Sequence, residues 1–403
     1  MAARQTYRYN EIYYYYVQGE IICIFVQIKF IMIQSQKQIS ELIKWCRFPL
    51  IVLVVMIHSH FTDLQIGGVN YTFDVDTTPI YCNVSYLVSD LIARIAVPLF
   101  YIFSGFLFFN NVQQFTHKVY FDKLRKRLRT IVFPYVFWNL VVVFMFFLLQ
   151  TFLPSLASGA NKLVVDYTLG DWVKIFWNVS GGGTPICYQF WFIRDLLVVI
   201  LLSPIVYYAI KKFNLIYLGL LGLLWLFNLD AGITGISVVA FFFFSIGAVF
   251  AINSYDFIRV IRRVKYISYI LSISLILILM VLLNMGSLEH SFGLIVKDML
   301  YNICILSLIV SSLNVVSTGL EHKYLHTNPF LHDSNFFIYA YHAMPLVLCM
   351  KVLVKLITPS TDIEAVSIYF MAPFITIVVG LLLFAFLKKI FPRFIALITG
   401  SRV

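Results

Sequence analysis

The sequence predicts an all-α fold, a polytopic membrane helical bundle of about ten transmembrane helices with both termini in the cytoplasm. Of its 403 residues, 61% are hydrophobic and only 12% are charged, whereas soluble domains carry about 25% charged residues. The mean hydropathy is +0.88. A hydrocarbon core about 30 Å thick needs roughly 20 apolar residues per helix, and such stretches follow one another along most of the chain. A soluble globular fold is therefore excluded.

Ten apolar segments are long enough, or nearly long enough, to be spans. The fifth and sixth are short, so the count could fall to nine or eight. The predicted spans are residues 46–62, 86–109, 131–153, 189–209, 214–229, 236–252, 266–284, 299–317, 336–357 and 367–387.

The distribution of Lys and Arg predicts the orientation, because cytoplasmic loops of membrane proteins carry the excess of these residues. One set of loops holds 17 of them and the other set holds three, Lys162, Lys174 and Lys297. The richer set includes the C-terminal residues 388–403, and an even number of spans then predicts that both termini are cytoplasmic. This asymmetry also accounts for the net charge of +11. No basic face is interleaved with stacking aromatic residues, so no nucleic-acid partner is expected.

Three regions are expected along the chain. Residues 1–40 are an N-terminal appendage, or result from a mis-assigned start, outside the core. Residues 41–390 form the membrane domain, and residues 391–403 form a cytoplasmic C-terminal tail. The six cysteines contain no CxxC pair, so no metal is expected. A disulfide between Cys82 and Cys187 remains possible, because both fall on the predicted outer side.

The first span carries an arginine and a histidine on one face. Arg47 and His58 are 11 residues apart, which on a straight helix leaves them about 20° apart around the axis and about 16 Å apart along it. By the same arithmetic His60 points about 200° away from His58. Imidazole is suited to proton transfer near neutral pH, but a histidine that only hydrogen-bonds a neighbouring helix would satisfy the same pattern.

Further polar residues lie in or beside the predicted spans, where burying them in the membrane is costly. Each has a functional and a structural explanation. Asp90 and Arg94 are spaced for an ion pair, which could serve a ligand or only packing. Ser104 and Gly105 allow close helix approach. A basic cluster that includes Arg125, Arg127 and Arg129 could bind phosphates or anchor the chain to anionic lipid.

The later spans add two candidate groups. Trp191, Arg194 and Asp195 lie together near the predicted outer interface, as either a sugar platform or an aromatic belt with a snorkelling arginine. Since Arg194 and Asp195 are adjacent, they should point about 100° apart and have different partners. His342, near Tyr339, is a second buried imidazole with the same structural alternative as His58.

Together these segments resemble acyltransferase family 3, the integral-membrane O-acyltransferases of surface polysaccharides, from about residue 43 to 390. Four motifs carry the resemblance: RFPLIVLVVMIH with an Arg, ten residues and a His; VPLFYIFSGFLFF; RKRLRTIVFPY; and SNFFIYAYHAMPL. The chain departs from the family at Gln189, where many members have a histidine before the WF pair. The substrate role of that position is therefore open.

The resemblance implies transfer of an acyl group, usually acetyl from acetyl-CoA, to a hydroxyl of a cell-surface or lipid-linked polysaccharide. His58 would be the catalytic histidine, with Arg47 and the three arginines of the basic cluster on the donor side. Asp90, Arg94, Trp191, Arg194, Asp195 and His342 would serve the acceptor. The expected location is the inner (plasma) membrane, among its lipids. The alternative is a transporter or flippase of lipid-linked sugars. Many transporters contain internal repeats, and none is visible in this sequence.

Overall fold

The computed structural model describes residues 37–66, 69–152, 162–179, 183–285 and 291–400. The sequence prediction for residues 1–40 lies almost wholly outside these described residues. Apart from one small antiparallel hairpin, the described chain is helical. The helices are α1 (37–57), α2 (Pro79–Phe109), α3 (His117–Phe152), α4 (Leu169–Lys174), α5 (Tyr188–Leu201), α6 (Ser203–Phe213), α7 (Leu215–Leu226), α8 (Val238–Ile252), α9 (Phe257–Arg263), α10 (Lys265–Asn284), α11 (Ser291–Glu321), α12 (Pro329–Tyr341), α13 (Ala343–Ile357), α14 (Asp362–Ile390) and α15 (Pro392–Ile398), and the strands are β1 (Asp63–Ile66) and β2 (Val69–Thr72).

The all-helical membrane fold is confirmed. Five helices of the described chain, α2, α3, α10, most of α11 and α14, are long and apolar enough to cross a membrane. Three bent pairs, α5–α6, α8–α9 and α12–α13, raise the number to eight if each pair is one span. The two remaining predicted spans also lie on helices. Helix α7 has only 12 residues, and every 18-residue stretch of α1 contains Glu41, Lys44 and Arg47.

Helix α1 ends earlier than the sequence predicts, at residue 57 rather than 62. The chain then turns toward the β-hairpin, held by Tyr81 of α2, whose hydroxyl donates to the Phe61 carbonyl at 2.6 Å and accepts from the Phe61 amide at 3.0 Å. The rings of Phe61, Phe73 and Tyr81 pack together, with centroids 5.0 to 5.6 Å apart. This aromatic cluster fixes the segment that carries His58 and His60.

Helices α2 and α8 cross with their backbones in contact. A Cβ atom added to Gly105 would lie 2.0 Å from the Phe244 carbonyl oxygen, and one added to Gly247 would lie 1.9 Å from the Ile102 carbonyl oxygen. Glycine at both positions is what allows this approach. The predicted close packing at Gly105 is therefore confirmed.

The segment before α5 folds back against the middle of α3. The Tyr135 hydroxyl donates to the Phe176 carbonyl at 2.5 Å, and the Asn139 amide oxygen accepts from the Cys187 amide at 3.0 Å. Cys187 is buried and, like Cys82, has a free thiol, so the disulfide considered from sequence is not formed. The packing brings residues 188–190 into the bundle.

The predicted C-terminal tail contains α15, whose inner face packs into the bundle. Ile395 and Ile398 are buried, and the indole nitrogen of Trp138 donates to the Ile398 carbonyl at 3.1 Å. Helix α15 therefore belongs to the wall formed by α3 and α14.

Candidate active site

Two imidazoles meet where α1 ends and where α12 bends into α13. The ring centroids of His58 and His342 are 5.4 Å apart, with 32° between the ring planes. The ring of Tyr188 packs edge-on against His58, with its centroid at 5.1 Å. His58 follows the last residue of α1, and His342 lies at the 71° bend between α12 and α13. The predicted histidines of the first and ninth spans are thus brought together.

The hydrogen bonds of His342 fix its tautomer. Its Nδ1 lies 2.8 Å from the Tyr339 carbonyl oxygen, and since a carbonyl only accepts, Nδ1 carries the proton. Its Nε2 is buried and has no hydrogen-bond partner among the described residues. In the neutral ring Nε2 bears a lone pair. His342 therefore presents a proton acceptor inside the bundle, beside His58.

Arg47 and Arg127 face a cavity of about 160 Å³ between α1, α2, α3, α5 and α12. Ser104, Asn335 and Tyr339 also line it. No carboxylate is among its lining residues. Two guanidinium groups on one small cavity form a site for an anion.

A polar chain that sequence analysis missed holds Arg47 in place. Its Nη1 donates to His332 Nε2 at 3.2 Å, His332 Nδ1 lies 3.2 Å from Asp333, and Lys388 lies 2.9 Å from the other Asp333 oxygen. Because the guanidinium donates to Nε2, the Nδ1–H of His332 donates to Asp333. His332 and Asp333 lie in the first turns of α12, four and five residues after its N-cap residue Asn328. Nothing in the sequence spacing relates them to Arg47.

The other two arginines of the basic cluster lie elsewhere. Arg125 and Arg129 are exposed, and neither lines the cavity of Arg47. Arg127 alone turns inward, one residue before a π-helical turn, Leu128–Val132.

Asp90 forms the predicted ion pair with Arg94, at 2.8 Å. Asp90 also lies 2.9 Å from Nδ1 of His60, a partner that sequence analysis did not assign. Asp90 lies in a wide π-helical turn, Tyr86–Ile92, which changes the phase of the side chains around the helix. The group lies near His58 along the chain, since His60 is two residues after it.

The prediction that Arg194 and Asp195 have different partners is wrong. Nε and Nη2 of Arg194 both donate to one oxygen of Asp195, at 2.8 and 2.6 Å. Both side chains are buried, and two buried opposite charges in contact offset each other's desolvation. The guanidinium also lies 5.8 Å from the Trp177 ring. Trp191 is half-buried, and no ring contact of Trp191 is found among the described residues.

A second cavity, of about 870 Å³, lies on the opposite face of α12 from Arg47. Asn335, Phe336 and Tyr339 line the small cavity, while Phe337, Ala340 and Tyr341 line the large one. Helix α12 is thus a partition between a cationic and an apolar cavity, and His342 follows its last residue. His58 lines neither of these two cavities, but Tyr188, which packs against it, lines the larger.

The fold and these sites define a multi-pass membrane protein that keeps imidazoles, arginines and carboxylates inside a helical bundle. Comparison with protein families gives its class more closely. A family model described as an acyltransferase domain matches residues 41–387. The chain therefore belongs to acyltransferase family 3 and is a membrane acyltransferase. No solved structure matches it.

Proposed function

We propose that this protein transfers an acetyl group from cytoplasmic acetyl-CoA to a hydroxyl of a cell-surface or lipid-linked polysaccharide. The hydroxyl oxygen attacks the thioester carbonyl, and its proton passes to an imidazole. The C–S bond breaks, and the departing CoA thiolate takes up a proton. The acyl group ends as an ester of the acceptor, so the reaction needs no oxidant.

The donor would enter at the cavity of Arg47 and Arg127. Arginine forks match phosphate oxygens, and the cavity of about 160 Å³ is a slot for a narrow chain rather than for a whole nucleotide. We therefore assign the nucleotide phosphates to the exposed Arg125 and Arg129 at the cytoplasmic edge. Arg127 and Arg47 would hold the inner part of the CoA.

His58 would take the proton from the acceptor hydroxyl, with His342 as its neighbour. A general base must lie within hydrogen-bond reach of the proton that it removes, and the free Nε2 of His342 can orient an imidazole N–H or the hydroxyl itself. Among the described residues the His58 ring has no hydrogen-bond partner, which leaves its nitrogens available to substrate.

The acceptor would approach from the predicted outer side, past Asp90 and Arg94. His60 joins this group through Nδ1, so its Nε2 is free to accept from a sugar hydroxyl. Trp191, Arg194 and Asp195 would form a more distant part of the acceptor path. The protein would act in the inner (plasma) membrane.

The contact of His58 with His342 is the observation that carries this proposal. Replacing His58 with Ala should reduce transfer of label from radiolabelled acetyl-CoA into glycan by at least about 100-fold, because general base catalysis contributes about 10²–10⁴. The matched control is His326→Ala, an exposed histidine outside both cavities. His58→Gln, closer in size, separates loss of the base from loss of packing.

Retained acetyl transfer in both His58 variants would remove His58 from this role. The alternative, a transporter or flippase, makes the opposite prediction for the same membranes. Sugar would move across them without CoA, and no label would enter glycan.

A further inference from the structure

The small cavity brings two positive charges together without a carboxylate to offset them. Arg47 of α1 and Arg127 of α3 both line it. Because like charges repel more strongly away from bulk water, a guanidinium at this position needs a partner that fixes its direction. A carboxylate is the usual partner of an arginine, but none is found among the described residues that line this cavity.

The partner of Arg47 is instead a neutral imidazole. Nη1 of Arg47 donates to Nε2 of His332 at 3.2 Å, and a guanidinium has only donors to offer. Nε2 therefore bears the lone pair of the ring, and Nδ1 bears the proton, which it donates to Asp333 at 3.2 Å. Lys388 donates to the other Asp333 oxygen at 2.9 Å. The hydrogen bonds thus run in one direction, from Arg47 through His332 to a carboxylate that Lys388 also pairs.

His332 lies on the face of α12 that borders the small cavity. Residues three and seven positions apart share one face of a helix. Asn335 and Tyr339 follow His332 by these two spacings, and both line the cavity. His332 itself is not among the lining residues. It therefore stands behind Arg47 and outside the space that a ligand would fill.

An imidazole between Arg47 and Asp333 leaves the guanidinium charged toward the cavity. A carboxylate in direct contact would bind two N–H groups of the arginine and offset most of its charge. His332 takes one N–H group and is uncharged in this tautomer. Asp333 is one ring further away, and the attraction between two charges falls with distance. Within the described residues the Arg47 guanidinium has no second hydrogen bond, so its other N–H groups can meet an anionic ligand.

We propose that His332 is a positioning residue of the acyl-donor site. Its Nε2 aims the Arg47 guanidinium at the cavity, and its ring keeps Asp333 from neutralising that guanidinium. His332 acts only through Arg47 and does not contact the donor. The inference rests on the proposed binding of acetyl-CoA in this cavity. Its effect belongs to donor binding rather than to proton transfer, so it is measured as affinity for acetyl-CoA.

The test replaces the two ring nitrogens of His332 one at a time. The side-chain carbonyl of glutamine reaches about as far as Nε2, and the side-chain amide of asparagine reaches about as far as Nδ1. His332→Gln therefore keeps an acceptor for Arg47, whereas His332→Asn keeps only a hydrogen-bond donor for Asp333. Equilibrium binding of radiolabelled acetyl-CoA is measured on the full chain in lipid nanodiscs that contain no acceptor. We expect the Kd to rise about five- to tenfold in His332→Asn and to stay within about twofold of the wild type in His332→Gln.

A third variant of the same residue separates charge from position. His332→Glu has the shape of His332→Gln and can hold Arg47 at least as firmly, but its carboxylate contacts the guanidinium directly. We expect the Kd for acetyl-CoA to rise by at least about tenfold, because Arg47 then has little charge left for the donor. His326→Gln and His326→Glu are the controls, at an exposed histidine outside both cavities. They should change the Kd by less than about twofold, since solvent and salt screen an exposed charge.

Equal Kd values for His332→Asn and His332→Gln would show that Arg47 is not held through Nε2 and would overturn the proposal. If His332→Asn does not fold, as judged by thermal unfolding, Asp333 supplies a second pair of variants. Asp333→Asn keeps an acceptor for the Nδ1–H group of His332, and Asp333→Leu does not. Only Asp333→Leu should raise the Kd, by about two- to fivefold, because the tautomer is then no longer fixed. An equal rise in both variants would assign the effect to the ion pair with Lys388 and would also overturn the proposal.

Transfer assays on the same preparations, with acceptor added, separate this inference from the proposed function. If the wild type binds acetyl-CoA and the variants show the expected order of Kd values, but no label enters glycan, the acyl-transfer proposal fails and the positioning role stands. If the wild type transfers acetyl groups while the three His332 variants bind acetyl-CoA alike, the positioning role fails and the acyl transfer stands. A wild type that neither binds acetyl-CoA nor transfers its acetyl group would overturn both.

Discussion

At the scale of single residues, the chemistry of this protein depends on how few polar atoms are left without partners. Six buried side-chain atoms of the described residues have no hydrogen-bond partner, and two of them are Nε2 of His342 and the amide oxygen of Gln189. An unsatisfied buried polar atom costs about 1–3 kcal/mol, so a stable bundle keeps few of them. Nε2 of His342 belongs to the ring that lies beside His58, and Gln189 lines the larger cavity. Ligand hydroxyls or imidazole protons are the partners that they lack.

His342 is accordingly expected to act by positioning His58 or the acceptor hydroxyl. His342→Ala should lower kcat by about 10- to 100-fold while leaving KM for acetyl-CoA unchanged, because His342 does not line the cavity of Arg47, the proposed donor site. Initial rates over a range of acetyl-CoA concentrations separate the two constants. A rise in KM as large as the fall in kcat would show instead that His342 only packs the bundle.

At the scale of helices, the breaks and irregular turns matter more than the straight spans. The end of α1 presents His58, the 71° bend after α12 presents His342, and the π-helical turns in α2 and α3 accompany Asp90 and Arg127. A π turn in an otherwise regular helix often accompanies a functional site. The straight part of α2 has a different task, which is to pack against α8.

The contact of α2 with α8 is expected to be essential for stability. Gly247→Ala would place a methyl group 1.9 Å from a backbone carbonyl oxygen, which requires the helices to separate and should cost about 1–3 kcal/mol or more. Gly219→Ala on α7 is the matched control, since nothing lies within 4 Å of a Cβ atom there. That control should be neutral or stabilise α7 by about 0.5–1 kcal/mol.

Thermal unfolding of the two purified variants in the same detergent measures this difference. Equal unfolding temperatures for Gly247→Ala and Gly219→Ala would contradict the close crossing of α2 and α8.

At the scale of the whole molecule, the sequence predicts the helices well and the cavities poorly. The spans follow from hydropathy, and the Asp90–Arg94 pair and Gly105 follow from helical spacing. The predicted stripe of Arg47 and His58 requires a helix only to residue 58, and α1 reaches residue 57. The predicted end at residue 62 is wrong, and sequence spacing could not show this because Phe61 is held by Tyr81, 20 residues away.

The larger cavity could not be predicted for a different reason. An apolar residue in a membrane protein suits lipid, a neighbouring helix or a cavity wall equally well, so Val141 and Leu348 carry no mark of their position in the sequence. Asp333 and His332 were missed because their link to Arg47 is purely spatial. Only the three-dimensional arrangement distinguishes these cases.

The charge distribution of the whole molecule gives the last prediction. The predicted cytoplasmic loops hold most of the positive charge, and Arg125 and Arg129 are exposed on the same helix as Arg127, which lines the proposed donor cavity. Exposed charges act over about 10 Å at 0.1 M salt, so these arginines should raise the local concentration of the polyanionic CoA. Arg125→Gln with Arg129→Gln should therefore raise KM for acetyl-CoA by about three- to tenfold at low ionic strength, and added salt should bring the wild type toward the variant.

Lys211→Gln with Lys212→Gln is the matched control, because it removes two exposed cations from the same predicted side. This control variant does not change the cavity that Arg47 and Arg127 line. If both double variants raise KM equally, the effect belongs to the net charge of the surface and not to a donor site at α3. If KM rises only in the variant with Arg125→Gln and Arg129→Gln, the nucleotide end of CoA binds near the start of the π-helical turn. Arg127 and Arg47 would then contact the part of CoA that lies further inside.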